Sequence, residues 1–220
     1  MALLGIQFCN PDTQIGLWKI QETVADFYHI YPCLRPFRKR LSARYHSEHR
    51  QLEFLAVHAL VHEMSPEAGM NIRHSLTGQP LLAGWNISIS HTVGYAVVAL
   101  SKKYPVGVDI EYFSDRVTRV ASRFLRSDEM ALDLTHLLIH WCAKEAVYKY
   151  DSEANLGYKE MRLEPFLIQD RFCIVDNLKS QWKIKVFLEV NSDYVLTLVS
   201  GAPRKDADPD IQVDHTGIQF

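Results

Sequence analysis

Gly107-Val108-Asp109-Ile110-Glu111 is the stretch on which the interpretation of the chain turns. Side chains alternate across a strand, so Asp109 and Glu111 lie on one face and the two apolar residues on the other. Two carboxylates about 7 Å apart on one face can share a hard cation such as Mg²⁺, which prefers oxygen ligands. Gly107 on the same face would let a ligand or another backbone approach closely. The alternative is a half-buried strand whose acidic face is solvated, which such a short motif often marks.

A second pattern lies in the helix predicted over residues 128–150. Trp141, Glu145 and Lys149 are spaced four residues apart and therefore share one stripe of a helix. One interpretation is a surface ion pair, worth about 0.3–0.5 kcal/mol. The other is a partly buried stripe beside a cleft, because Trp141 prefers burial.

Two further stretches could bind an anion. Residues 86–92 alternate apolar and small polar side chains, and His91 comes at the end of this strand, beside a turn at Gly94. His91, with Ser90 and free backbone N–H groups, could hold a phosphate. The alternative is a solvent-exposed histidine. The segment Arg35–Arg50 carries six arginine or lysine residues against one glutamate, and could be an anion site or a solvated loop.

Composition excludes several classes of protein. The chain has 220 residues, 47% of them hydrophobic and 23% charged, with a net charge of −2, which argues against a non-specific nucleic-acid binder. No apolar run approaches the roughly 18–20 residues of a membrane span, and residues 1–5 lack the features of a signal peptide. The four cysteines are far apart. We therefore expect a cytoplasmic protein with free thiols.

The order of predicted elements indicates an α+β fold. Each half runs strand, helices, then strands, which is compatible with two similar lobes, residues 1–103 and 104–200, followed by an extended or disordered tail at 201–220. Individual predictions include strands over 2–8 and 106–111, a helical pattern through 15–28, a helix over 48–64 and a hairpin over 86–100.

Taken together, the motifs resemble those of the 4′-phosphopantetheinyl transferases. The resemblance rests on residues 107–111, 124–129 and 141–149, with Gly78-Gln79-Pro80 and residues 88–92 upstream. The match is to the long, pseudo-dimeric branch, the surfactin-synthetase-activating type. The resemblance implies two similar α/β lobes related by a pseudo-twofold, a ligand cleft between them that takes coenzyme A, and a monomer.

The resemblance also implies the reaction. Such an enzyme moves the 4′-phosphopantetheine arm of coenzyme A to a serine of an apo acyl or peptidyl carrier protein and releases adenosine 3′,5′-bisphosphate. The pathways served are non-ribosomal peptide, polyketide and fatty acid biosynthesis. By this carry-over Asp109, Glu111 and Glu145 hold Mg²⁺. Glu145 is the candidate base for the carrier serine, directly or through a metal-bound water, and Lys149 stabilises or protonates the departing phosphate. The catalytic residues implied are Glu145, Lys149 and Asp109.

The coenzyme A contacts implied are Arg50, Ser90, His91, Lys149 and Gln79. Gln79 departs from the family, in which a lysine is common at that position. This departure supports an alternative, a non-catalytic module that binds coenzyme A or a carrier protein on the same fold. Neither interpretation includes a nucleic-acid or membrane partner.

Overall fold

The N-terminal half of the chain folds around one antiparallel sheet. The computed structural model describes residues 2–201 and 204–205. In chain order the first elements are β1 (Leu3–Asn10), β2 (Thr13–Lys19), α1 (Val24–Ile30), α2 (Arg38–Arg44), α3 (Glu48–Met64), β3 (Arg73–His74), β4 (Pro80–Leu81), β5 (Asn86–Thr92) and β6 (Tyr95–Ser101). The sheet has the order β1-β2-β6-β5, and the short pair β3-β4 stands apart.

The C-terminal half forms a second antiparallel sheet. Its elements are β7 (Val106–Tyr112), α4 (Ala121–Phe124), α5 (Leu134–Tyr150), β8 (Met161–Leu163), β9 (Phe172–Asn177), β10 (Trp182–Val190), β11 (Tyr194–Ser200) and β12 (Arg204–Lys205). The strand order is β7-β11-β10-β9-β8, and β12 pairs with β10. None of the helices in the described part of the chain is long and apolar enough to cross a membrane.

The layers follow from three apolar clusters. One joins α3 to β2 and β6, a second joins α5 to the second sheet, and a third lies between the sheets, where Ile15, Leu17 and Val97 meet Val108 and Leu196. The order is therefore helix, sheet, sheet, helix, and the α+β prediction is confirmed as two antiparallel sheets, each packed with helices.

A row of hydroxyls joins the two sheets where their edge strands β5 and β7 run side by side. The Ser88 hydroxyl accepts the Val108 N–H at 3.0 Å, and the Thr92 hydroxyl accepts the Tyr112 N–H at 3.3 Å. Serine and threonine at alternate positions of β5 point to the same side. We call Ser88, Ser90 and Thr92 the hydroxyl seam. Ser88 and Thr92 satisfy backbone N–H groups of β7 that a sheet neighbour would otherwise take, and Ser90 donates to the Asp109 side chain.

Each long helix crosses its sheet at a glycine. A Cβ built on Gly107 would lie 1.9 Å from the Ala146 carbonyl oxygen and 2.8 Å from the Tyr150 backbone nitrogen. A Cβ on Gly16 would meet the Met64 sulfur at 2.8 Å. Gly107 thus allows another backbone, that of α5, to approach β7, one of the two possibilities predicted for it.

Two sequence predictions were wrong in detail. The helical pattern through 15–28 is strand β2 followed by α1, because β2 is buried on both faces and its continuous apolar run imitates helical spacing. The helix predicted from residue 128 begins at Leu134, where Asp133 caps it by accepting the His136 N–H. Most of the predicted tail, residues 202–203 and 206–220, lies outside the described residues.

Candidate active site

Asp109 is the most buried acid on the acidic face of β7. The residue is 5% exposed, and its Oδ1 accepts the Ser90 hydroxyl at 2.8 Å and the Lys149 ammonium at 2.7 Å. Its Oδ2 is buried with no hydrogen-bond partner among the described residues. A buried carboxylate oxygen without a donor is costly, so this atom favours a further positive group or donor.

Lys149 holds both halves of the molecule together at this point. Besides Asp109, its ammonium donates to the Val108 carbonyl of β7 at 3.0 Å and to the Ile89 carbonyl of β5 at 3.4 Å. The helix spacing predicted its place on the stripe of α5 that faces β7. What the sequence did not reveal is that its three acceptors come from both sheets.

Glu111 and Glu145 flank Asp109. Glu111 accepts the Thr92 hydroxyl at 3.2 Å and lies 3.4 Å from the Trp141 indole nitrogen. Glu145 accepts a short hydrogen bond from the Tyr158 hydroxyl. Burial, and then the negative charge of Asp109, raise the pKa of both Glu111 and Glu145 above the usual range.

These groups carry more negative than positive charge. Asp109, Glu111 and Glu145 lie near a single ammonium, that of Lys149, and burial, followed by the negative charge of Asp109, raises the pKa of the two glutamates. Within residues 2–201 and 204–205, no three acidic, histidine or cysteine groups are already gathered around one point that could hold a metal ion. The excess charge and the unpartnered Oδ2 of Asp109 nevertheless suit a divalent cation with oxygen ligands. The metal-ligand assignment stays a prediction.

A basic cavity lies on the other side of β5. It has a volume of about 500 Å³ and lies between α2, α3 and the β3 region. Its basic lining residues are Arg40, Arg44, Arg50, Arg73, His58, His74 and His91. Arg50 and His91, two of the residues predicted to contact coenzyme A, are therefore in one cavity.

Gln79 and Ser90 lie elsewhere. Gln79 is exposed and lines two smaller cavities, of about 440 and 210 Å³, both of which Lys149 also lines. The first of these shares Arg73 with the basic cavity, so the spaces are neighbours. Ser90 is buried against Asp109 rather than open to a cavity ligand, and its hydroxyl donates to that carboxylate.

Sequence reasoning missed three residues of this region. Glu53 lies inside the basic cavity, Arg73 links two cavities, and Tyr158 donates to Glu145. Glu53 carried a usable signal, since it follows Arg50 by three residues on a predicted helix. Arg73 lies in the two-residue strand β3 and Tyr158 begins a single 3-10 turn, and both elements are too short for sequence periodicity to predict.

A buried ion pair links helix α5, which carries Glu145 and Lys149, to the loop that precedes it. Lys144 and Glu129 have fully buried side chains, 2.7 Å apart, and Lys144 also donates to the Phe124 carbonyl. Glu129 accepts the backbone N–H groups of Arg126 and Leu163. The pair and these hydrogen bonds connect the loop before α5 to the helix and to β8, so both residues have a structural role.

Comparison with known proteins finds a similarity that covers this region. Residues 105–199, somewhat under half of the chain, match the family model described as the 4′-phosphopantetheinyl transferase superfamily. No curated protein matches the chain. The matched segment contains Asp109, Glu111, Glu145 and Lys149, whereas the basic cavity precedes it. The part of the chain that carries the acidic strand and the lysine helix is thus similar to the 4′-phosphopantetheinyl transferase superfamily.

Proposed function

We propose that this protein transfers the 4′-phosphopantetheine arm of coenzyme A to a serine of an apo acyl or peptidyl carrier protein. The superfamily implies this type of transfer in general, with coenzyme A and a carrier protein as substrates. The observation that carries the proposal is the grouping, within the matched segment, of three carboxylates with Lys149. Phosphoryl chemistry of this kind depends on positioning and on neutralising charge.

In the proposed reaction the serine oxygen of the carrier attacks the phosphorus next to pantetheine. The bond from that phosphorus to the bridging oxygen breaks, and adenosine 3′,5′-bisphosphate leaves. The serine proton passes to Glu145, the carboxylate that we assign as the general base. Lys149 offers its positive charge to the leaving phosphate.

Mg²⁺ suits the remaining negative charge of the site. Asp109, Glu111 and Glu145 would hold it, and the bound ion would neutralise the diphosphate of coenzyme A. Ser90 and Thr92 fix the orientations of the first two carboxylates through the hydroxyl seam. Tyr158 fixes Glu145 in the same way.

We place the nucleotide end of coenzyme A in the basic cavity. Four arginines and three histidines line it, which suits phosphate groups. Gln79 and Lys149 line the neighbouring spaces, so the substrate would run from the basic cavity toward Asp109. The long, pseudo-dimeric type fits this arrangement, because each half has a sheet, a long helix and a glycine where the two cross.

Intact-protein mass spectrometry tests the proposal directly. The protein, coenzyme A and Mg²⁺ are incubated with an apo acyl or peptidyl carrier protein, beside an EDTA sample and a carrier whose serine is replaced by alanine. We expect the carrier to gain one phosphopantetheine in the first sample alone. No gain with acyl, peptidyl or aryl carriers, while coenzyme A still binds, would favour a non-catalytic binding module.

Glu145→Gln separates an enzyme from a binding module. The substitution keeps the size of the side chain but removes the base and one negative charge. We expect the transfer rate to fall by roughly 10²–10⁴-fold. Calorimetric affinity for the carrier protein should change little. A variant that transfers at the wild-type rate would remove Glu145 from the mechanism.

A further inference from the structure

Glu53 is a buried acid in a cavity that seven basic side chains line. It lies on α3 with its side chain 6% exposed, and among the described residues it is the only acidic one that lines the basic cavity. An acid at this place opposes the binding of a phosphate. Its presence therefore calls for an explanation other than simple charge attraction.

Three basic side chains are held by this one carboxylate. Oε2 accepts Nη1 of Arg50 at 2.9 Å, and Oε1 lies 3.0 Å from Nε2 of His49 and 3.2 Å from Nδ1 of His91. Arg50 and His49 come from the same helix, whereas His91 comes from the end of β5. Glu53 therefore connects α3 to the strand that leads into the hydroxyl seam.

The charges of these partners decide the ionisation of Glu53. Burial would raise its pKa, but the hydrogen bond from His91 and the charges of His91, Arg50 and His49 outweigh burial and lower the pKa below the usual range. The carboxylate is thus charged at neutral pH. A charged acceptor makes shorter and stronger hydrogen bonds than a neutral one, and fixes the groups that donate to it.

A long arginine side chain has no fixed orientation unless a partner holds it. Arg50 is 56% exposed, so without a partner its guanidinium would sample many rotamers, each costing free energy to restrict when a ligand binds. With Nδ1 of His91 held by Glu53, Nε2 is the ring nitrogen left for a ligand. Fixing donors before the ligand arrives is the usual way that a site gains specificity.

We propose that Glu53 is a positioning residue that holds Arg50 and His91 in one orientation for a phosphate monoester at the nucleotide end of coenzyme A. This inference rests on the proposed function. Some electrostatic attraction for the anion is lost through the negative charge of Glu53, and selectivity for a correctly placed phosphate is gained. Glu53 itself does not touch the substrate.

The test compares coenzyme A with 3′-dephospho-coenzyme A, by calorimetric binding to the whole protein and by KM and kcat for transfer. The variants are Glu53→Ala, Glu53→Gln, Arg50→Ala and the double variant of Glu53→Ala with Arg50→Ala. Glu48→Ala, an exposed glutamate on the same helix outside the cavity, is the matched control.

Positioning predicts a loss confined to the phosphate-bearing ligand. We expect Glu53→Ala to weaken coenzyme A about tenfold and 3′-dephospho-coenzyme A less than twofold, with kcat changed little. Glu53→Gln should recover part of the loss, since an amide oxygen still accepts one hydrogen bond. In the Arg50→Ala background the further loss from Glu53→Ala should shrink, because both residues act on the same contact.

Other outcomes overturn the inference. Tighter binding of both ligands by Glu53→Ala would show that the acid acts only by repulsion. Equal weakening of both, or a lower thermal stability with an unchanged ratio of the two affinities, would make Glu53 structural only. If the wild-type protein bound neither ligand, the proposed function itself would fail, which is distinct from a wild type that binds both and ignores Glu53.

Discussion

The ammonium of Lys149 has two roles, one in the candidate active site and one in joining the two sheets. Its three acceptors are the Asp109 carboxylate and one backbone carbonyl from each sheet. Helix spacing was enough to place it beside Glu145, and strand alternation was enough to place Asp109 with Glu111. The hydrogen-bond partners of these residues could not be predicted from the sequence, because Ser90 and Tyr158 reach the site through contacts between distant parts of the chain.

Replacing Lys149 with methionine should therefore affect rate and stability together. The change removes the charge offered to the leaving phosphate, so we expect transfer to slow by roughly 10²–10³-fold. It also leaves Asp109 without its ammonium, at a cost of about 1–3 kcal/mol, or several degrees in Tm. Kinetics and thermal unfolding are compared with Lys179→Met, which alters an exposed turn lysine. A stable but inactive Lys149→Met variant would contradict its joining role.

At the scale of the element, the approach of α5 to β7 depends on a missing side chain. Gly107→Ala would place a methyl group 1.9 Å from a backbone carbonyl of the helix, so helix and strand must separate. Gly16→Ala instead meets the end of the Met64 side chain, which can move aside. We expect Gly107→Ala to cost about 3 kcal/mol or more and Gly16→Ala about 1 kcal/mol.

Urea unfolding of the two alanine variants measures this difference. Because α5 carries Glu145 and Lys149, Gly107→Ala should also lose transfer activity in the molecules that remain folded. Equal urea midpoints for Gly107→Ala and Gly16→Ala would contradict this expectation. They would mean that α5 and β7 move apart as easily as the Met64 side chain moves aside.

Helix α3 was predicted at Glu48–Met64, its observed bounds. The hairpin β5–β6 was predicted from the alternation of residues 86–92 and the turn at Gly94, although both faces of β6 are buried. Strand β2 is also buried on both faces, by α3 and by the second sheet, and it was missed because its apolar run continues into α1 at spacings that imitate a helix. The sequence of residues 13–19 does not indicate which neighbours will bury them, because tertiary packing determines those neighbours.

At the scale of the whole molecule, the buried pair of Glu129 and Lys144 should influence stability in acid. Burial would raise the pKa of Glu129, but the nearby His140 ring, the Lys144 ammonium and two backbone N–H groups lower it to about 2. In the unfolded chain a glutamate titrates near 4.3. The unfolded state therefore takes up this proton first as the pH falls, and the stability that Glu129 contributes is lost between about pH 4.5 and 2.

Urea unfolding measured across that pH range checks whether the contribution of Glu129 to stability falls as the pH falls. At pH 7 we expect the free energy of unfolding of wild type to exceed that of Glu129→Gln by about 3 kcal/mol. This difference should narrow steadily as the pH drops toward 3. Glu153→Gln, which changes an exposed glutamate, should keep a constant difference from wild type. A Glu129→Gln gap that stays equally wide at pH 3 would show that the pair stabilises by shape rather than by charge.

The hydroxyl seam has a consequence for how this protein can change. A ladder of backbone hydrogen bonds is indifferent to side-chain identity, so the joint it makes survives almost any substitution. Between β5 and β7 the hydrogen bonds come from side chains instead, those of Ser88, Ser90 and Thr92 and the ammonium of Lys149, so they depend on residue identity. A single substitution in the hydroxyl seam removes one of these hydrogen bonds and leaves the ladders within both sheets intact, so the strength of the contact between the halves can change in small steps during evolution.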